Sequence, residues 1–136
     1  MQPGDALPVF SLKDQHEKPF TFAPGPRVVV AAFSMTAGQQ ANAFFARQPA
    51  DFLAQKQALF IANIHGMPAI GRYFALPKMR KYPHRILLGD DAHLFDRYPQ
   101  HAGKLTVLHL DPLGKITAIE FVDAEKNLPA IFNLSP

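Results

Sequence analysis

The sequence predicts an α/β fold in which a central mixed sheet is flanked by helices and preceded by an N-terminal β-hairpin. Two apolar runs, Arg27–Phe33 and Ala58–Ile64, are the main observation behind this prediction. Apolar runs of this length are typical of strands buried on both faces of a parallel sheet. The stretch between them shows helical spacing and has the length that a parallel crossover needs. With 136 residues, 48% of them hydrophobic, the chain is expected to form one domain over residues 1–136.

The N-terminal hairpin is predicted from two short alternating runs, Phe10–Lys13 and Phe20–Phe22, on either side of the polar turn Asp14–Lys18. Alternation of apolar and polar residues is typical of strands with one buried face. We expect this hairpin to cover one edge of the sheet. The segment Ala23–Pro26, with two prolines and a glycine, then breaks regular structure before the first core strand.

A helix is predicted after the first core strand, with Ser34 or Thr36 as its cap. Its apolar positions recur at three- and four-residue spacing: Ala37, Ala41, Phe44 and Phe45. Proline cannot continue a helix undisturbed, so Pro49 should kink or split it, with Asp51–Gln57 as the second half.

Another helix is predicted to begin at Pro68 and to stop near Pro77. Two further strands, Arg85–Leu88 and Leu105–Leu110, should be joined by a polar stretch that holds a short helix around Leu94–Tyr98.

The C-terminal part begins with the sequence Asp111-Pro112-Leu113-Gly114, which favours a type I turn. The turn should form a hairpin between the preceding strand and Lys115–Val122. A last helix is expected over Ala124–Leu134, interrupted or bent at Pro129.

The charge composition argues against a nucleic-acid-binding function. The 14 Lys and Arg residues exceed the 11 Asp and Glu residues by only three, and the densest basic group, Lys78, Arg80, Lys81 and Arg85, is interpreted as a solvated helix end. We therefore expect no nucleic-acid partner.

No apolar run reaches the roughly 18 residues that a spanning helix needs, so no membrane span is expected. The abrupt start at Met1–Asp5 leaves the compartment open, with a periplasmic domain whose leader was removed somewhat favoured over a cytoplasmic one.

Several segments resemble one known family. Gly4–Leu12, followed by Asp14–His16, resembles the N-terminal segment of the alkyl hydroperoxide reductase and thiol-specific antioxidant family, the peroxiredoxin-like branch of the thioredoxin-like superfamily. Val28–Ser34 resembles the strand that leads to that family's active-site loop. Arg85–Asp90 and Thr106–Ile116 resemble its later strands and the Asp-x-x-Gly turn. The resemblance spans nearly the whole chain and implies a thioredoxin-like, peroxiredoxin-type sandwich.

The departures from that family concern its chemistry. Its reactive thiol lies at a helix N-terminus, where N–H groups and the helix dipole stabilise a thiolate. The resemblance places Ala37–Gln40 where a Cys-x-x-Cys pair would stand, and Leu105 where thioredoxins keep a cis-proline. The chain contains no cysteine at all. It is therefore expected to be neither a thiol peroxidase nor a disulfide reductase.

Other chemistry has little support in the sequence. Ser34 and Thr36 could act as nucleophiles only with a base in reach, and capping is the favoured interpretation. His65 follows a core strand at its carboxyl end, where α/β sheets usually hold ligands. The six histidines show no metal-ligand spacing, and the glycines form no phosphate-binding loop, so no metal and no cofactor are expected.

We therefore hypothesise that the chain is a non-redox thioredoxin-fold protein. It would bind an unknown protein or small molecule near the former thiol site, the region where the related family carries its reactive cysteine. Its candidate binding residues are Ser34, Thr36, Ala37, Gln39, Gln40, His65 and Leu105. One alternative is a degenerate peroxiredoxin-like enzyme that uses Ser34, Thr36 or His65. Another is binding of a metal such as copper through Met35 and His65.

Overall fold

The computed structural model describes residues 1–134, which contain seven strands and four helices. The strands are β1 (Ser11–Asp14), β2 (Pro19–Thr21), β3 (Val28–Ala32), β4 (Ala58–Asn63), β5 (Leu87–Gly89), β6 (Leu105–Leu110) and β7 (Ile116–Val122). The helices are α1 (Met35–Ala46), α2 (Phe52–Gln55), α3 (Ala69–Arg80) and α4 (Ala124–Ile131). The strands form one mixed sheet in the order β2-β1-β5-β4-β3-β6-β7.

The centre of the sheet is the pair of apolar strands that the sequence predicted. β3 and β4 are parallel, with Val30 opposite Phe60, while β6 lies antiparallel to β3 on its other side. Side chains point alternately to the two faces of a strand. Val30 and Ala32 accordingly contact one apolar layer, and Val29 and Ala31 contact the other. Burial on both faces explains why these strands are apolar except for Asn63, the half-buried last residue of β4.

Each face of the sheet is covered by a different layer. Helices α1, α2 and α4 cover one face, where Phe44, Phe45 and Leu128 belong to the same apolar cluster as side chains of β3 and β4. The other face is covered by the N-terminal segment and by the loop after β5, through Phe10 and Phe95. The hairpin of β1 and β2 pairs Ser11 with Thr21 and forms one end of the sheet, as predicted.

The turn at Asp111 to Gly114 is also confirmed. The Gly114 N–H donates to the carbonyl of Asp111 at 3.0 Å, and β6 and β7 pair on either side of it. Gly114 has φ +83°, a backbone conformation that glycine adopts at little cost. The break at Pro49 is confirmed as well, because α1 ends at Ala46 and α2 begins at Phe52.

Two helix boundaries differ from the prediction. α3 does not stop near Pro77 but continues to Arg80. The hydrogen bond that proline cannot donate would go to the carbonyl of Tyr73, and Tyr73 is an exposed residue at which water can replace that bond at little cost. The last helix ends at Ile131 rather than Leu134, since Asn133 adopts φ 56° and cannot continue a right-handed helix. Pro129 lies inside it.

The segment around β5 also differs. No helix forms at Leu94–Tyr98; the chain makes successive turns, in which the Asp96 N–H donates to His93 and the Tyr98 N–H to Phe95, each across three residues. The strand predicted at Arg85–Leu88 is observed at Leu87–Gly89. Arg85 instead lies outside the sheet and stacks on the ring of Phe20, 4.6 Å from its centre.

A cleft between helices α1 and α3 as the candidate functional site

The candidate site begins where β3 passes into α1. Ser34 has extended backbone angles, and its Oγ accepts a hydrogen bond from the Ala37 N–H at 3.1 Å. This is the geometry of a helix cap, which satisfies one of the N–H groups that lack a partner inside the helix. Ser34 is therefore the capping residue, whereas Thr36 lies exposed in the first turn.

A cleft of about 240 Å³ separates α1 from α3 above the ends of β3 and β4. Its walls are mostly apolar, with Met35, Met67, Phe74 and Met79 among them. Polar lining comes chiefly from Ser34, Gln39, Asn42, Asn63, Lys78 and Tyr82. The site thus combines apolar walls with a few polar side chains, as small-molecule pockets commonly do.

The cleft exists because α3 is poorly packed. Within the described chain, none of the twelve residues of this helix is buried. Met79 packs against the core while half-buried, and polar contacts hold the rest of the helix. Arg72 donates from Nη2 to the carbonyl of Ile64 at 3.0 Å and from Nε to that of Met67 at 3.2 Å. Arg80 donates to the carbonyl of Gln15 at 3.2 Å. Side chains that would normally fill the space below a surface helix are therefore missing between α3 and α1.

Apolar side chains are also exposed on α3 and at the start of α1, and two of them, Met35 and Phe74, line the cleft. Met35, Ile70, Tyr73 and Phe74 have exposed fractions of 57%, 72%, 75% and 64%. Tyr73 and Phe74 contact each other edge to face, with ring centres 5.3 Å apart. Clustered exposed apolar residues of this size usually mark a binding surface.

A buried polar pair adjoins the cleft, and one of its members, Asn42, lines the cleft wall. Asn42, from α1, is only 5% exposed, and its Oδ1 lies 2.9 Å from Nε2 of His84. His84 packs against the rings of Phe45 and Tyr82, at 5.5 and 5.2 Å between centres. Burial lowers the pKa of His84 to about 4, so its imidazole is neutral at physiological pH.

Comparison with solved structures shows similarity along nearly the whole chain. Peroxidoxin BcpB from Mycobacterium tuberculosis gives a TM-score of 0.63 at 18% identity, covering 98% of this chain and 95% of that one. A peroxiredoxin-like protein from Aquifex aeolicus gives 0.61 at 13% identity, over 98% of this chain and 85% of that one. The thioredoxin domain of a thiol-disulfide oxidoreductase from Bacteroides vulgatus gives 0.61 at 15%, over 97% and 98%. The chain has a thioredoxin-like fold.

At such low identities this likeness establishes the fold and nothing more. Comparison with protein-family models and with curated proteins gives no match. The thioredoxin-like resemblance deduced from the sequence is thus confirmed. The cysteine that such folds use for redox chemistry is absent from the chain.

The thioredoxin-like fold does not bring the seven predicted site residues together. Ser34 and Gln39 line the cleft. Ala37 and Leu105 point into the apolar core, and Leu105 is only 1% exposed. Thr36 and Gln40 lie on α1 but do not line the cleft. Four of the seven predicted binding residues therefore lie in the core or on α1 outside the cleft.

His65, the seventh residue, belongs to a separate polar cluster. Its Nδ1 lies 3.5 Å from Oδ1 of Asp90, and Arg72 binds both oxygens of that carboxylate at 2.8 and 2.9 Å. The Arg72 guanidinium holds the pKa of Asp90 below its ordinary value. Among residues 1–134, no hydrogen bond joins Ser34 or Thr36 to a histidine.

Two other findings concern metals and membranes. In the described part of the chain, no three His, Cys, Asp or Glu side chains come together as a metal site would require. None of the four helices over residues 1–134 is both long enough and apolar enough to cross a bilayer.

Asn42 and His84 were not identified as site residues from the sequence, which predicted α3 but not that it would line a cleft. The only local signal at Asn42 is a polar residue beside the apolar positions Ala41 and Phe45 on one helix face. Nothing near His84 in the sequence indicates that it would be buried against α1, because that contact joins residues 42 positions apart.

Proposed function

We propose that this protein is a non-redox binding domain that takes a small, largely apolar ligand in the cleft between α1 and α3. The observation that supports this most directly is the incomplete packing of α3, which leaves apolar walls facing each other across an unfilled space. A ligand in that space would supply the packing that the helix lacks. The cleft adjoins the start of α1, the position that the resemblance assigns to the former thiol.

Burial of the apolar cleft walls would stabilise a bound ligand. Apolar surface removed from water stabilises a complex by about 25 cal/mol for each Å² buried. At about 240 Å³ the cleft is smaller than the roughly 300–1,000 Å³ of pockets for drug-sized ligands. The occupant should therefore be a small molecule with a short aliphatic or aromatic part.

The proposal keeps two of the predicted binding residues, Ser34 and Gln39, and adds the neighbouring Met35 and Phe74. Since Ser34 already caps α1, its Oγ is assigned a structural role beside the ligand rather than a chemical one. Ala37 and Leu105 would affect binding only through the core.

The test is a substitution that fills the cleft. Ala75 lines it from α3 and is half-buried, so Ala75→Leu should occupy the ligand's space. The matched control is Ala43→Leu on the exposed face of α1, where the same atoms are added away from the cleft. Octanol titrated into the labelled protein should shift the amide resonances of Gly38, Asn42 and Gly71 in the wild type and in the control, but not in Ala75→Leu.

Shifts that spread evenly over the surface, or that persist unchanged in Ala75→Leu, would refute the proposed site. The non-redox part of the proposal has its own assay. Without a cysteine there is no thiolate to attack a peroxide or a disulfide, so peroxidase and thiol exchange rates should equal those of buffer. Turnover by a metal-free sample would contradict it.

A further inference from the structure

The amide of Asn42 has a free pair of donors beside the cleft. The side chain lines the cleft although the residue is 95% buried, being 5% exposed. Its Oδ1 is held by Nε2 of His84 at 2.9 Å, while Nδ2 has no hydrogen-bond partner in residues 1–134. The two ends of a planar amide point in different directions, so fixing Oδ1 toward His84 turns Nδ2 away from it, toward the cleft.

His84 sets this orientation. A carboxamide oxygen can only accept, so the Nε2 that faces it must carry the ring proton. Nδ1 of His84 is buried and has no partner among the described residues, which suits an unprotonated ring nitrogen better than an N–H. The histidine is therefore held in one tautomer, and Asn42 is held with its donors facing the ligand space.

The charged lining of the cleft is positive. Of the described residues that line it, Lys78 is the single charged one, and no carboxylate lies among them. No acidic side chain within residues 1–134 forms an ion pair with Lys78. An ammonium group without a protein counter-ion next to a free amide donor is complementary to an anion.

The two donors, Asn42 and Lys78, lie at a different height along the helices from Met35 and Met67. Both α1 and α3 start beyond the ends of β3 and β4 and run back along the sheet. Asn42 and Lys78 lie about two turns or more into their helices. Met35 and Met67 lie at the helix starts. A ligand that contacts both donors and both methionines has a negative group at one end and a hydrocarbon part at the other.

We infer that the cleft binds a small aliphatic monocarboxylate, with its carboxylate on Asn42 Nδ2 and Lys78 Nζ and its chain against Met35 and Phe74. This inference rests on the proposed function, since it specifies the chemical class of the ligand in the same cleft. A carboxylate accepts hydrogen bonds in several directions, so one group can engage both donors. A neutral alcohol would bind the same walls but would gain less from Lys78.

The experiment compares octanoate, octanol and octylamine, which share a chain and differ in the head group, at pH 7 and low salt by calorimetry and amide shifts. Octanoate should bind at least about tenfold more tightly than octanol, and octylamine more weakly than octanol. Lys78→Met should reduce octanoate affinity about three- to tenfold and leave octanol affinity unchanged. Lys81→Met, which removes an exposed lysine outside the cleft, is the control and should change neither.

A second variant tests the amide itself. Asn42→Asp keeps an acceptor for His84 but faces the ligand with a negative oxygen, so it should abolish octanoate binding and preserve octanol binding. The melting curve of Asn42→Asp shows whether this variant is folded. If it is unfolded, the comparison of octanoate and octanol binding by Lys78→Met still tests the inference. Equal affinity for octanoate and octanol would overturn the carboxylate inference and leave the binding site standing. Failure of all three compounds to shift the cleft resonances would overturn the proposed function together with the inference.

Discussion

Nε2 of His84 lies 2.9 Å from Oδ1 of Asn42, and both residues are buried. The contact joins the segment before β5 to the second turn of α1, 42 residues apart in the chain. It satisfies one polar atom of each side chain inside an otherwise apolar wall, where an unpaired donor or acceptor would be costly. The pair therefore couples the stability of the fold to the orientation of a side chain in the cleft.

The first prediction concerns pH. Burial lowers the native pKa of His84 to about 4, below the ordinary value of 6.5, so the unfolded chain takes up a proton first as the pH falls. The contribution of His84 to stability is complete above pH 6.5 and is lost between pH 6.5 and about 4. The loss should reach at most about 3 kcal/mol at pH 4. Urea unfolding at pH 7, 5.5 and 4 measures it.

The matched variants for this prediction are His84→Gln and His16→Gln. The first keeps a side-chain donor for Asn42 and cannot titrate, so its free energy of unfolding should fall less on acidification than that of the wild type. The second removes an exposed histidine and should follow the wild type. Equal pH dependence in all three proteins would show that His84 does not titrate as its burial requires.

The second prediction concerns the start of α1. Ser34→Ala removes the oxygen that accepts from the Ala37 N–H and should cost about 1 kcal/mol of unfolding free energy. Ser34→Asp should retain most of that stability, because aspartate also caps helices and its charge suits the helix N-terminus. Thr36→Ala should stay within about 0.5 kcal/mol of the wild type. A Thr36→Ala loss equal to that of Ser34→Ala would mean that the cap has been misassigned.

A third prediction concerns Gln15, which is 2% exposed and makes the two shortest hydrogen bonds of its side chain to backbone groups just before β5. Its Nε2 donates to the carbonyl of His84 at 2.7 Å, and its Oε1 accepts from the Ile86 N–H at 2.8 Å. Gln15→Leu leaves both groups buried without partners and should cost about 2–4 kcal/mol. Gln55→Leu is the control, because Gln55 makes only an exposed bond to Asp51 and should change stability by about 0.5 kcal/mol or less. Similar losses of unfolding free energy in Gln15→Leu and Gln55→Leu would contradict the structural role assigned to Gln15.

Much of the fold was predictable because its signals are local. The strands Val28–Ala32 and Ala58–Asn63 read directly as apolar runs, since both of their faces are buried. The turn at Gly114 needs a residue that tolerates positive φ, and the sequence Asp111-Pro112-Leu113-Gly114 indicates the turn by placing a glycine at that position. The end of α3 was predicted wrongly, because whether a helix tolerates Pro77 depends on whether the orphaned carbonyl is exposed, which one sequence does not reveal.

The site was predictable only in its location. Carboxyl ends of parallel strands meet at one edge, which placed Ser34 and His65 in the same region of the sheet. The structure separates them, since His65 turns to Asp90 while Ser34 caps α1. The cleft itself depends on how far α3 stands from α1, a tertiary distance with no local signal. For the same reason the buried Asn42 was not singled out.

The fourth prediction concerns the attachment of α3. Arg72 binds the Asp90 carboxylate and the carbonyls of Ile64 and Met67, whereas the helix has no fully buried residue within the described chain and packs on the core mainly through the half-buried Met79. Arg72→Met should therefore release the helix locally, raising amide hydrogen exchange over residues 69–80 by roughly tenfold, which corresponds to about 1–2 kcal/mol of local stability. Exchange in β3 should not change.

Its control is Arg97→Met, which removes an exposed arginine from the loop after β5 and should leave exchange in α3 as in the wild type. Arg72→Lys should not restore protection, because a single ammonium cannot reproduce the two-pronged contact that the guanidinium makes with Asp90. A cleft that depends on this anchor should also bind octanol more weakly in Arg72→Met. Unchanged exchange over residues 69–80 would show that apolar packing, rather than Arg72, holds the helix in place.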